Sequence, residues 1–375
     1  MDSARHRRQI RRARRCGVAI GAVAVVGMVA SIGASANTSP TKRDKPPKTT
    51  NTVLVMDNDS ITPRVFDPLL LNPWGLALGP DTPAWVADNG SDVSTLYTGF
   101  TTDFKVKKVP LDVSIPGGAP TGAVFNGSSS FGISAGGDSG PANFLFDSEA
   151  GKITAWSQNV PPANKARVVK SVPGAVFKGL AIGTTAKGRE RLYATDFHGG
   201  RVDVFNGQFE MVHHHGAFRD RMIPDDYAPF GIQNVRGRIF VTYAKQDADG
   251  EDDLKGPHHG FVDIYSTTGK LLDRFIRRGS LNSPWGIARA PKGWAGVGRD
   301  ILIGNFGDGY INVFDHKTGR DVGTISSFRG IVRRIEGLWA LRFGNGVFGT
   351  HRTLLYTSGP FNENHGLLGA LRPVK

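Results

Sequence analysis

A phrase anchored on glycine returns six times along the chain, and this periodicity constrains the fold more than any other feature of the sequence. Asn72-Pro73-Trp74-Gly75-Leu76-Ala77 comes back as Ser283-Pro284-Trp285-Gly286-Ile287-Ala288. Looser copies read Pro120-Thr121-Gly122-Ala123, Phe177-Lys178-Gly179-Leu180-Ala181, Pro229-Phe230-Gly231-Ile232 and Ile335-Glu336-Gly337-Leu338. The anchoring glycines at 75, 122, 179, 231, 286 and 337 are 47, 57, 52, 55 and 51 residues apart. A fixed period of this length marks an array of identical supersecondary units.

Each unit reads as strands. A second element ends in a polar turn, as in Ala84-Trp85-Val86-Ala87-Asp88 and Ile301-Leu302-Ile303-Gly304-Asn305. A third alternates, as in Arg201-Val202-Asp203-Val204-Phe205 and Phe261-Val262-Asp263-Ile264-Tyr265. A more polar fourth follows, such as Lys105-Val106-Lys107-Lys108-Val109. Period-two alternation of β-branched and aromatic residues means strands. The 49 glycines and 22 prolines of the 375-residue chain suit many short strands joined by tight turns and oppose helix bundles. Four strands in about 50 residues, six times over, predicts an all-β, six-bladed β-propeller over residues 51–375. The last unit runs out after its third strand, so Thr52–Met56 is expected to complete it as an outer strand that clasps the two chain ends and closes the open edge.

Ahead of the repeats lies an export signal. Seven arginines between Arg5 and Arg15 precede an apolar run from Gly17 to Ala36 that ends Ala34-Ser35-Ala36. A positive n-region, an apolar core and a small-x-small site describe a signal peptide over 1–36, with an uncleaved membrane anchor as the alternative. Residues 37–50 hold almost no apolar side chains and read as a flexible linker. The implied localisation is secreted or cell envelope, with a membrane partner only through an uncleaved N-terminal segment. The formal +13 is mostly N-terminal: the 325 residues after residue 50 hold 35 basic and 31 acidic residues, a net +4. Such a body argues against nucleic acid as a partner. Cys16 is the single cysteine, so the chain beyond it has no disulfide, thiolate metal site or cysteine nucleophile.

The pattern Gly-[Leu/Ile]-Ala, then a strand ending in Asp or Asn, then Gly and a strand with an aromatic end, resembles NHL-type propellers. Asn72-Pro73-Trp74-Gly75, Asp88-Asn89-Gly90 and Ser358-Gly359-Pro360 with Glu363-Asn364-His365-Gly366 resemble a family of exported bacterial β-propeller proteins. The resemblance implies fold and compartment. It supplies no activity, because one propeller architecture hosts binding modules, lyases and hydrolases alike.

In a propeller the turns between second and third strands, and the links into each first strand, gather at one end of the axis. Here they collect Asn72, His198, Asn282, Asn305, Glu336 and the Glu363-Asn364-His365 turn. They also include an acidic insert from Asp247 and Asp249 through Asp253 to His259. Asp and Asn before Gly are also ordinary turn formers, which is the structural reading of Asp88, Asp147, Asp196 and Asn305. The tryptophans of the repeated phrase read as packing between blades. His198, His259 and His365 come from three blades and are candidate metal ligands. Glu336, Asn72, Asn282, Asp247 and Asp249 offer hard oxygens for calcium, although the insert lacks EF-hand spacing. Glu336 replaces the apolar or aromatic residue found before Gly75, Gly231 and Gly286, so it is expected to aim a carboxylate at the axis. No Gly-x-Ser-x-Gly elbow or complete phosphate loop is present. The first expectation is therefore a monomeric binding or scaffold protein for a small molecule, glycan or protein. The alternative is a calcium-dependent hydrolase or lyase with its site on the propeller axis.

Overall fold

The computed structural model describes residues 47–374 apart from 60, 61, 214 and 328. The expected signal peptide at 1–36 and residues 37–46 of the linker lie outside the described residues. All regular structure among the described residues is β: six blades in chain order, built mainly of antiparallel pairs, and a separate two-stranded hairpin. No described helix is long and apolar enough to cross a membrane.

Blade 1 consists of Pro73–Ala77, Ala84–Asp88, Val93–Gly99 and Val106–Lys108. Blade 2 consists of Pro120–Phe125, Phe144–Ser148, Lys152–Trp156 and Arg167–Ser171, with an extra hairpin, Gly132–Ala135 and Asp138–Pro141, between its first two strands. Blade 3 has Phe177–Thr184, Glu190–Asp196 and Arg201–Asn206, and its fourth strand shrinks to one bridge between Phe205 and Met211. Blades 4 and 5 are complete, running from Tyr227 to Arg277 and from Pro284 to Thr324. Blade 6 has Leu338–Phe343, Leu354–Ser358 and Leu367–Pro373.

The sixth blade closes as the sequence predicts, with a longer strand. Lys48–Met56 pairs antiparallel with Leu367–Pro373, from Thr49 opposite Pro373 to Met56 opposite Leu367. The clasp thus begins at Lys48 rather than in the low fifties, and Lys48 to Thr50, read as linker, belong to it. Thr49 is buried and donates its hydroxyl to the Ser326 carbonyl, which fixes the start of the strand against the segment that follows blade 5.

The repeated glycine of the first strands is set by the approach of neighbouring blades. A Cβ on Gly75 would lie 2.6 Å from the Thr121 carbonyl oxygen, and one on Gly286 would lie 2.4 Å from that of Trp339. Buried threonines of three second strands then staple blade to blade. Thr195, Thr242 and Thr357 donate to the carbonyls of Phe230, Pro284 and Trp74 at 2.6–2.7 Å.

The strand register corrects one repeat assignment. Pro73, Phe177, Pro229, Pro284 and Leu338 each make the last pair with their second strand before a register shift. The residue after that pair is therefore equivalent in every blade: Trp74, Thr121, Lys178, Phe230, Trp285 and Trp339. Blade 6 carries Ala340 where the others carry glycine. Gly337 is instead the left-handed residue that enters the strand (φ 63°), the counterpart of Asn72 (φ 42°), Ala119 (φ 44°) and Ser283 (φ 45°).

Candidate functional site

The bulge at the start of each first strand turns its next side chain toward the axis. Four of the six such side chains are aromatic and form a plug. Trp74 stacks on Trp339 with ring centroids 3.5 Å apart, and Phe306 stacks on the same indole at 3.8 Å. Trp285 meets Trp74 edge-on at 6.2 Å, and Phe230 meets Trp339 at 6.0 Å. All are buried, which settles the tryptophans of the repeated phrase as packing.

Blade 3 breaks the pattern by placing Lys178 at the ring position, with 1% of its surface exposed. Its ammonium pairs with Glu149 from the blade 2 turn at 2.5 Å and with Asp252 from the blade 4 insert at 3.1 Å. It also lies 5.2 Å from the centroid of the Trp74 ring. Burial works against its charge, but the two carboxylates outweigh burial and push its pKa above the ordinary lysine range. A lysine held protonated in this way is a fixed cation and not an amine nucleophile.

A polar layer surrounds this cation at the expected end of the axis. Asn89 donates to Glu149 at 3.2 Å. Asn72 donates to Glu363 at 3.0 Å and accepts the Trp339 indole N–H at 3.1 Å. Burial lifts the Glu363 carboxyl to about 7, against the opposing influence of Lys255 and the Asn72 hydrogen bond. Lys255 is exposed, and its ammonium sits 3.9 Å over the Phe306 ring. The Trp74 indole N–H is buried with no acceptor among the described residues. The layer therefore presents one fixed cation, one exposed cation and a carboxyl able to hold or release a proton near neutrality.

The residues expected from the sequence divide. Asn72 lies in the polar layer, and the acidic insert reaches it through Asp252 and Lys255. Asp247 accepts the backbone N–H groups of Glu251 and Asp252 and so shapes its own turn, while Asp249 is exposed. Asn282 accepts the Gly256 N–H at 2.8 Å, and Asn305 donates to the Ser280 carbonyl at 2.7 Å; both serve to hold loops. Glu336 is exposed and accepts the Phe361 N–H at 3.2 Å, one step outside the position of Asn72. The three histidines sit apart. His198 is exposed, His259 bonds the Leu254 carbonyl at 2.8 Å, and His365 bonds Asp57 at 2.7 Å. Among the described residues the only three acidic or histidine side chains with ligand atoms within 4.8 Å of one another are Asp300, Asp315 and His316, which include none of these candidates. Calcium needs six to eight oxygens around one point. Here the carboxylates nearest the axis already face an ammonium, and the amide oxygens of Asn72 and Asn282 already accept hydrogen bonds.

Asp88, Asp147 and Asp196 are turn and strand elements, as their spacing suggests. Asp88 accepts from the backbone and hydroxyl of Thr95, and Asp147 from Thr121 and Gly122. Burial raises the pKa of all three, that of Asp147 to about 7. Lys178 and Lys255 are what sequence reasoning missed. The signal for Lys178 was present: a lysine in a slot that elsewhere holds Trp, Phe or Thr.

No protein-family model matches the chain. It is 30% identical over 329 residues to "Uncharacterized protein L690" of Acanthamoeba polyphaga mimivirus, covering 84% of each chain. It is also 30% identical over 283 residues to "Uncharacterized protein R648" of the same virus, covering 73% of this chain and 69% of that one. Among solved structures, a gluconolactonase of Xanthomonas campestris aligns over 89% of this chain and 96% of that one, with TM-score 0.49 and 12% identity. Virginiamycin B lyase of Staphylococcus aureus aligns over 87% and 100%, with TM-score 0.46 and 11% identity. Likenesses this distant carry nothing about chemistry. The sequence relatives are viral, whereas the motifs suggested bacterial ones. By identity and coverage, the chain belongs to the family of the mimivirus protein L690.

Proposed function

We propose that this chain is an exported binding propeller of NHL-like type that holds a small polar molecule or glycan at the Lys178 end of its axis. The observation that carries the reading is the Lys178–Glu149–Asp252 cluster. A buried ammonium costs desolvation that packing alone does not require, since four equivalent positions are filled by aromatic rings. Around it, Asn72, Asn89, Lys255 and Glu363 offer donors and acceptors side by side, which suits a ligand rich in hydroxyl groups. Export rests on the arginine-rich, apolar N-terminal segment and its Ala-Ser-Ala site.

The test is a thermal-shift screen of sugars, polyols and small carboxylates against wild type, Lys178→Met and Glu363→Gln. A ligand selective for the native state raises the midpoint with its concentration. The reading expects at least one hit in wild type that both variants lose. Hits of equal strength in all three proteins would place binding elsewhere.

A hydrolase or lyase is favoured by one observation, the Glu363 carboxyl titrating near 7, where a general acid or base is most effective. Turnover of a lactone, ester or glycoside by wild type and not by Glu363→Gln would select it over binding alone.

A further inference from the structure

Beyond the aromatic plug, the first strands border a recess lined by Leu180, Ile232 and Ile287 among others. Its volume is about 30 Å³, room for one or two water-sized atoms. Two polar side chains enter it, Gln233 and Arg342. They occupy the same position in blades 4 and 6, three residues after ring residues Phe230 and Trp339. The other blades carry Ala77, Val124, Ala181 and Ala288 there.

Arg342 differs from Lys178 in one decisive respect. Lys178 is saturated by two carboxylates. Among the described residues the Arg342 side chain makes no hydrogen bond, ion pair or ring contact, while its backbone pairs with Leu355. Burial alone pulls its pKa below the usual arginine range, with no charged neighbour opposing or adding to the effect. A guanidinium nevertheless stays protonated in proteins, so it cannot escape by losing charge. Arg342 lines the recess, half-buried, and its five donors find no protein acceptor among the described residues. Gln233 makes only a long donation to the Asn234 carbonyl, 3.4 Å.

We propose that this recess is an anion site. Arg342 binds a chloride ion or a carboxylate group, and the Gln233 amide supplies a second donor. The small volume selects monoanions of that size over phosphate or sulfate. The site is separated from the polar layer by the plug, and Trp285 borders both. It stands whether or not the Lys178 end binds a ligand.

The experiment follows the melting midpoint of the purified protein in isethionate buffer, whose sulfonate is the size of the excluded sulfate, as chloride or acetate replaces isethionate at constant ionic strength. Wild type is expected to gain stability that saturates with chloride or acetate, and Lys178→Met to gain it equally. Arg342→Met is expected to show no gain, and Gln233→Ala to need about tenfold more anion, as for one lost hydrogen bond to a charge. An absent response in wild type, or an equal one in Arg342→Met, would overturn the proposal. Should Arg342→Met fail to fold, bromide-soaked wild-type crystals decide. An anomalous peak beside the Arg342 guanidinium is the expected result, and no peak there refutes the site.

Discussion

At one backbone position, four blades of this propeller carry Trp or Phe and blade 3 carries Lys178. The same bulge and the same strand pairing present both kinds of side chain to the axis. The aromatic positions close the channel by stacking. The lysine position builds a charged cluster with groups from blades 2 and 4. The difference teaches that the repeat fixes where a side chain points and leaves its chemistry free. In a repeat fold, the residue that departs from its own repeat is where function is to be sought.

Removing the frame that both kinds of position share should have the largest effect. Deleting the clasp strand exposes the edge of Leu367–Pro373 and opens the seam between first and last blades. A protein starting at residue 58 should melt on the order of 10 °C below one starting at residue 37, as expected for the loss of several kcal/mol in a large domain. Coincident midpoints would refute the closure.

The ring positions themselves should respond in opposite ways. Trp339 stacks on both Trp74 and Phe306, so Trp339→Ala should cost about 3–5 kcal/mol in denaturant unfolding. Lys178→Met exchanges a buried cation for an apolar side chain of similar shape and leaves Glu149 and Asp252 close enough to water to be rehydrated. Its cost should be about 1 kcal/mol or less. Equal costs would show that the lysine is only packing.

The smallest effect is a pH dependence. The folded-state pKa of Glu363, about 7, lies above its ordinary value of 4.5. Between those values the folded protein binds more protons than the unfolded chain, so this group makes stability fall as pH rises through roughly 4.5 to 7. Asp147 and Asp263 slope the same way, so the difference between wild type and Glu363→Gln isolates the contribution. The variant should lose less stability than wild type across that window.

The fold was legible because its causes are local and repeated. Period-two alternation, a glycine demanded by blade contact and an unpaired last blade are all visible along the chain. The site was legible only in outline. That the polar layer lies at the end of the axis holding these turns follows from topology, and Asn72 and the acidic insert lie there. Glu336 was misplaced because Gly337 mimics the repeat glycine, while blade 6 uses Ala340 in that role. The Lys178 cluster was hidden because its members are 29 and 74 residues from the lysine. Their meeting depends on how turns of three blades converge, which no local pattern encodes.

The central claim is that the cation on this axis is the protein's own lysine. The direct measurement is the melting midpoint of the purified protein before and after chelation, with calcium added back, for wild type and Lys178→Met. The account predicts no change in wild type on chelation, because the Lys178 ammonium already neutralises Glu149 and Asp252. A wild-type midpoint that falls on chelation and returns with calcium would contradict it, and would assign the axial charge to a metal.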